Sequence, residues 1–252
     1  KRGGVIGLEV GELQLSDGAS IDSRSFGPGQ GGQIVIKVVG QVTLTNNSSI
    51  QSSTLSTDPQ AGNAGNIVLQ ACCVNLTGST ISTATEGPGQ GGDITISAFD
   101  YINLTHTAQS SSAIQASSQP HEGKEDHAGN AGRIHITASD LNLSGAASKI
   151  DNSTLGAGLG GSITLSIGNT LRLTDHASIS ADSKGTGEAG NISVNATQIE
   201  IQNGGISTAT DKADGGNIIL KARRSLELNN SQISATVSGG RGNGGNLLIT
   251  NP

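Results

Sequence analysis

The 252-residue chain carries 38 glycines, only 13% charged residues and a formal net charge of −6. That balance excludes a surface of clustered Lys and Arg, so no nucleic-acid partner is expected and anionic membrane surfaces are disfavoured. No apolar run is long enough to cross a bilayer as a helix. Gly every few positions weakens helices throughout, while the Ile, Leu and Val that dominate the apolar set suit strands.

In chain order, the sequence opens on Lys1-Arg2-Gly3-Gly4 without an initiator Met or a signal segment, and it stops at Asn251-Pro252 within the same pattern. It therefore reads as an internal segment of a longer protein, with the export signal and any functional head expected elsewhere. A Gly-Gly (or Ala-Gly)-x-Ile-x-Ile motif, degenerate at Gly3, recurs at Gly31, Ala64, Gly91, Ala131, Gly160, Ala189, Gly215 and Gly244. Its period of about 30 residues lies in the range of solenoids. After each copy comes a Leu-x-Leu beat: Leu13/Leu15, Val42/Leu44, Val74/Leu76, Ile102/Leu104, Leu141/Leu143, Leu171/Leu173, Ile199/Ile201 and Leu226/Leu228. A third beat is one Ile followed two residues on by a small or polar residue, as in Ile50/Ser52, Ile81/Thr83, Ile114/Ala116 and Ile179/Ala181. All three beats have period two, and none has the helical period of 3.6.

Three strands per period with short Gly, Asn and Ser turns predict an all-β, right-handed parallel β-helix. A propeller blade needs four strands, and a leucine-rich repeat needs a helix. One period makes one coil. About eight coils climbing by ~4.8 Å each form a rod of roughly 40 Å. Like residues then stack in inward columns, and the third face narrows because it turns in Ser, Thr and Ala. No composition shift interrupts the pattern, so residues 1–252 form one domain. The longest excursion, Ser117 to Asn130, is expected outside the solenoid. The glycines at the corners are expected to supply positive φ and close packing.

The candidate chemistry is sparse. Stacking places Asp93 beside Arg133, His135 between Thr95 and Thr164, and Arg172, Glu200 and Glu227 in one column. It also stacks Asp151, Ser180 and Ser207, beside a second column of Ser153, Asp182 and Ala209. No pair of carboxylates with a base gathers beside aromatic subsites, so no catalytic residue is assigned and this segment is not expected to be an enzyme. The loop His121, Glu122, Glu125, Asp126, His127 is the weak candidate for a divalent metal, but Lys124 opposes it and the spacing is irregular. No cofactor is expected. The outward residues of the third face mix Asp22, Gln51, Ser82, Gln115 and Asp151, too irregular for an ice lattice. Cys72 and Cys73 are adjacent, and in a strand they point to opposite faces, one buried and one exposed. They match neither zinc spacing nor a disulfide framework.

The strand Ala189-Gly190-Asn191-Ile192-Ser193-Val194-Asn195-Ala196 and the segment Gly205-Ile206-Ser207-Thr208-Ala209-Thr210 resemble the repeats of large filamentous-haemagglutinin-like exoproteins, in particular those of cyanobacteria. The resemblance extends over essentially the whole chain. It implies two-partner secretion, in which an N-terminal domain, not matched here, engages an outer-membrane transporter. It also implies a secreted or cell-surface rod with an adhesin-like role and a surface glycan or protein as receptor. Strand edges at the two ends point to end-to-end self-association. The alternatives are a β-helix enzyme acting on polysaccharide, lyase-like or glycosidase-like, and a glycan-binding module.

Overall fold

The computed structural model describes residues 3–56, 58, 60–120, 128–240 and 242–251. It is all-β, with parallel strands stacked as a solenoid of about 8 turns of ~29 residues. The first face runs from strand Val5–Val10 through Gln33–Val38, Ile67–Ala71, Ile94–Ala98, Ile134–Ala138 and Ile163–Ile167 to Leu247–Thr250. Its inward column is the predicted one: Ile6, Ile34, Ile67, Ile94, Ile134, Ile163, Ile192, Ile218 and Leu247 stand in direct register. The second-face column, Leu13 to Leu226, and the third-face column, Ile21 to Ile233, are in register in the same way. Strands Ile192–Gln202 and Ile218–Asn229 run straight through the first corner, so the first two faces form one 15-stranded sheet.

The interior is aliphatic, as a chain without Met or Trp requires. Ile34, Ile36, Leu44, Ile96, Ile102 and Leu173 are completely buried, whereas Phe26 and Phe99 lie outside at 70% and 86% exposure. Each fully buried Ile or Leu contributes about 1.5–3 kcal/mol relative to solvent exposure. On the third face the interior is polar, and most of its groups are paired; Ser117 Oγ and Asn152 Oδ1 are buried without a partner. Thr83 and Thr208 donate their hydroxyls to the carbonyls of Gly92 and Gly216 at 2.6 Å, Ser52 donates to Gly32, and Asn152 Nδ2 donates to Gly132 at 2.7 Å. Side chain and carbonyl thus satisfy one another where no water reaches.

A fourth, shorter ladder was not foreseen. Thr54–Leu55, Thr85–Glu86 and Ser118–Gln119 pair as a 3-stranded sheet, and single bridges extend it through Thr154, Ser183 and Thr210 to Val237. Its hydroxyls turn inward and cap the following loop: Thr85 donates to Gly89 at 3.0 Å and Ser183 to Gly187 at 2.6 Å. Ser117 and Ser118, expected to open an outer excursion, are instead buried within the coil.

The repeated glycines act through close approach, not through positive φ. None of the Gly-Gly or Ala-Gly pairs has positive φ; that conformation is taken at other turns by Gly18, Gly78, Gly87, Gly145 and Gly240, as expected of corner glycines, and by Asp17, Asn46, Asn47, Asp175, His176, Asn203 and Asn230. From Gly32 onward, the second glycine of each motif instead sits against the carbonyl of its counterpart one coil below. A Cβ on Gly65, Gly92 or Gly132 would fall on the carbonyl oxygen of Gly32, Gly65 or Gly92. The residue after the pair explains its frequent Asn or Asp. Asn66 Oδ1 accepts from the Asp93 amide at 2.9 Å, Asp93 Oδ1 from Arg133 at 3.0 Å, Asn191 from Asn217 at 2.8 Å and Asn217 from Asn246 at 2.9 Å.

Candidate functional site

The outward columns hold the polar side chains, and most are engaged with one another. Asp93 accepts the Arg133 guanidinium at 2.8 Å as well as the Arg133 amide, so its carboxylate is held by the next coil. Arg172 meets Glu200 at 2.7 Å, with Glu227 next in register. His135 lies between Thr95 and Thr164. Asn75, Asn103 and Asn142 form an amide ladder with 3.0 Å steps. Such pairs on an exposed face contribute little individually and mainly fix register.

A cluster of part-buried charge lies on the third face. Asp151 receives Lys149 Nζ at 2.9 Å, the Ser153 amide at 3.0 Å and the Ser180 hydroxyl at 3.2 Å. Burial alone would raise its pKa, but the Lys149 charge and these donors hold the carboxyl below its ordinary value. Asp182, one coil on, accepts from the Ser207 hydroxyl at 2.9 Å and the Ala209 amide at 2.7 Å. Burial pushes its pKa up, with the neighbouring Asp151 charge adding to the rise against those two hydrogen bonds. The two columns read separately in the sequence thus form one electrostatic unit, because neighbouring columns on a face touch as closely as neighbouring coils.

The metal candidates His121, Glu122, Glu125, Asp126 and His127 lie outside the described residues. Among the described residues, no group of three or more His, Cys, Asp or Glu side chains is placed to hold a metal ion.

Among the described residues, grooves open at the corner between the first and second faces, which sequence reasoning passed over. Corners there alternate in length. Gly11-Glu12, Cys72-Cys73, Ser139-Asp140 and Thr197-Gln198 join the faces with two residues; Val39-Gly40-Gln41, Phe99-Asp100-Tyr101, Gly168-Asn169-Thr170 and Arg223-Arg224-Ser225 use three. The register slips by one residue where the two kinds meet, between Ala196 and Gln198. The longer corners project, leaving Val39 85% and Phe99 86% exposed. Between them opens a groove of about 630 Å³ lined by Glu9, Lys37, Val39, Gln70, Cys72 and Phe99. A second groove of about 430 Å³ follows, from Phe99 to Arg223. Arg223 Nη2 reaches across the intervening short corner to the Gly168 carbonyl at 3.2 Å. The signal was present in the sequence, as the spacing between the first two beats.

The cysteines also depart from expectation. Cys72 is the corner residue and Cys73 opens strand Cys73–Thr77, so the chain turns between them and both sulfurs face each other at 2.9 Å. Cys73 is buried and Cys72 half-buried, both as free thiols.

Comparison with protein-family models, with curated proteins and with solved structures returns no match to the chain.

Proposed function

We propose that the chain is a structural stalk segment of a secreted or cell-surface, adhesin-like exoprotein exported by two-partner secretion, without catalysis of its own. The observation that carries this reading is the continuity of the inward columns, which run from Ile6 to Leu247 with one residue class per column. A stack of that kind is stiff along its axis, and each coil contacts only its neighbours, so length is gained by addition without redesign. The polar outward residues serve register: Asp93, Asn66, Asn191 and Asn217 are spent on the next coil's amides. The sequence likeness to filamentous-haemagglutinin-like repeats supports the location, and a distal surface glycan or protein is the receptor such a rod would carry a head towards.

Immunogold labelling of this segment on intact native cells, with protease shaving as control, tests the reading. Label at the surface or on extended fibres is the expected result; label confined to the cell interior sinks it. The isolated segment is also expected to associate end to end. Leu247, Leu248 and Ile249, in the last described strand, are 45%, 50% and 46% exposed. Light scattering should show mass rising with concentration, and a strict monomer at high concentration would count against association.

A further inference from the structure

We propose that Cys72 and Cys73 form a thiol–disulfide exchange site that takes a low-molecular-weight disulfide from the corner groove and closes to a vicinal disulfide. The site is independent of the stalk reading. Its geometry rests on three features. The two sulfurs already face each other at 2.9 Å, within about 1 Å of the ~2.05 Å length of an S–S bond. Cys72 lines the floor of the groove between the projecting Val39 and Phe99 corners, whereas Cys73 is buried behind it. The short corner is pinned on both sides: the Cys72 amide donates to Gly40 and its carbonyl accepts from Asp100, each at 2.9 Å.

These positions divide the chemistry between the residues. The Cys72 thiolate attacks one sulfur of the incoming disulfide; a bond from Cys72 Sγ to that sulfur forms, and the entering S–S bond breaks. The released thiolate takes up the proton that Cys72 gave to solvent. Cys73, deprotonated in turn, then attacks Cys72 Sγ, expels the second small thiolate and leaves the Cys72–Cys73 bond. Two protein thiols are oxidised and one small disulfide is reduced to two thiols. Adjacent Cα atoms are ~3.8 Å apart, below the ~4.4–6.8 Å span of ordinary disulfides, so the closed ring is strained and small thiols reopen it readily.

The charged and titratable groups facing Cys72 are Cys73, Glu9 and Lys37 along the groove, and Asp100 on the next corner. The hydrogen bond with Cys73, then burial, then the Cys73 and Asp100 charges push the Cys72 thiol up. Exchange therefore quickens as pH rises.

The test uses the reduced whole chain with oxidised glutathione, followed by alkylation and intact-mass spectrometry. The expected product is protein lighter by two hydrogens, unalkylated and without glutathione. C73A stops at a stable one-to-one glutathione adduct. C72A reacts at least about tenfold more slowly, because its remaining thiol is buried. A lasting glutathione adduct on the wild-type chain, a covalent dimer, or reaction only after denaturation overturns the proposal. Equal rates for the two variants, both shown folded by their β-sheet circular dichroism, overturn the division of roles.

Discussion

Ile96 and Ile249 occupy the same inward column of the first face, one in the middle of the solenoid and one in its last strand. Ile96 is completely buried and Ile249 is 46% exposed. The second face shows the same contrast between register partners, where Ile201 is buried and Leu228 is 47% exposed. The residues are alike in size and hydropathy. The difference is that Ile96 has a described coil on both sides and Ile249 on one. Burial in this architecture is a property of neighbours, so stability accumulates coil by coil and is weakest at the ends.

That comparison can be broken by mutation. The largest effect is expected from Gly92→Ala, which drives a Cβ onto the Gly65 carbonyl in the middle of the stack. A loss of about 3 kcal/mol or more in urea unfolding is expected, with the transition splitting as the two halves uncouple. Ile96→Ala should lose about 2–5 kcal/mol. Ile249→Ala, in the same inward column but 46% exposed, should lose about 1 kcal/mol. Equal losses at Ile96 and Ile249 would mean that the end coil is covered in solution.

A smaller effect sharpens the contrast between two neighbouring coils through pH. Asp151 has a lowered folded pKa, so its stabilisation is complete above the ordinary value near 3.8 and is lost as pH falls through the lowered one. Asp182 has a raised folded pKa, so folding favours its acid form. Its contribution is fullest below about 3.8 and fades as pH rises through the raised value. Asp151→Asn should therefore lower the melting temperature at pH 7 and matter less at pH 3. Asp182→Asn should be neutral or stabilising at pH 7, and the opposite order of melting temperatures would refute the assignment. The smallest effect belongs to Arg172→Ala, whose exposed pair with Glu200 is worth under about 1 kcal/mol.

The columns were legible in the sequence because a parallel stack repeats its inward residues in order, and Ile34, Ile67, Ile94 and Ile134 announce it. The fourth ladder was not, because two-residue strands such as Thr54–Leu55 have no periodicity to detect. The glycine motif was visible but its cause was not: the carbonyl that excludes a Cβ belongs to a residue a whole coil away. Cys72 and Cys73 were read by the alternation rule for a continuous strand, which fails where the backbone turns between them. The pairing of Asp93 with Arg133 and of Arg172 with Glu200 followed from register alone. The union of Asp151 with Asp182 needed the lateral distance between columns, which register does not supply.

The alternation of short and long corners has a consequence for how such a chain can change length. The inward ladders repeat every coil, but the outer edge repeats only every second coil, so the smallest interchangeable unit is a pair. Deleting one coil would leave the hydrophobic columns matched and yet set two corners of equal length side by side; loss of a short-cornered coil would close the gap between teeth such as Val39 and Phe99. Deleting or duplicating two would preserve the comb. Genes for rods of this kind should therefore grow and shrink in even steps wherever that edge is used, and in steps of either parity where it is not.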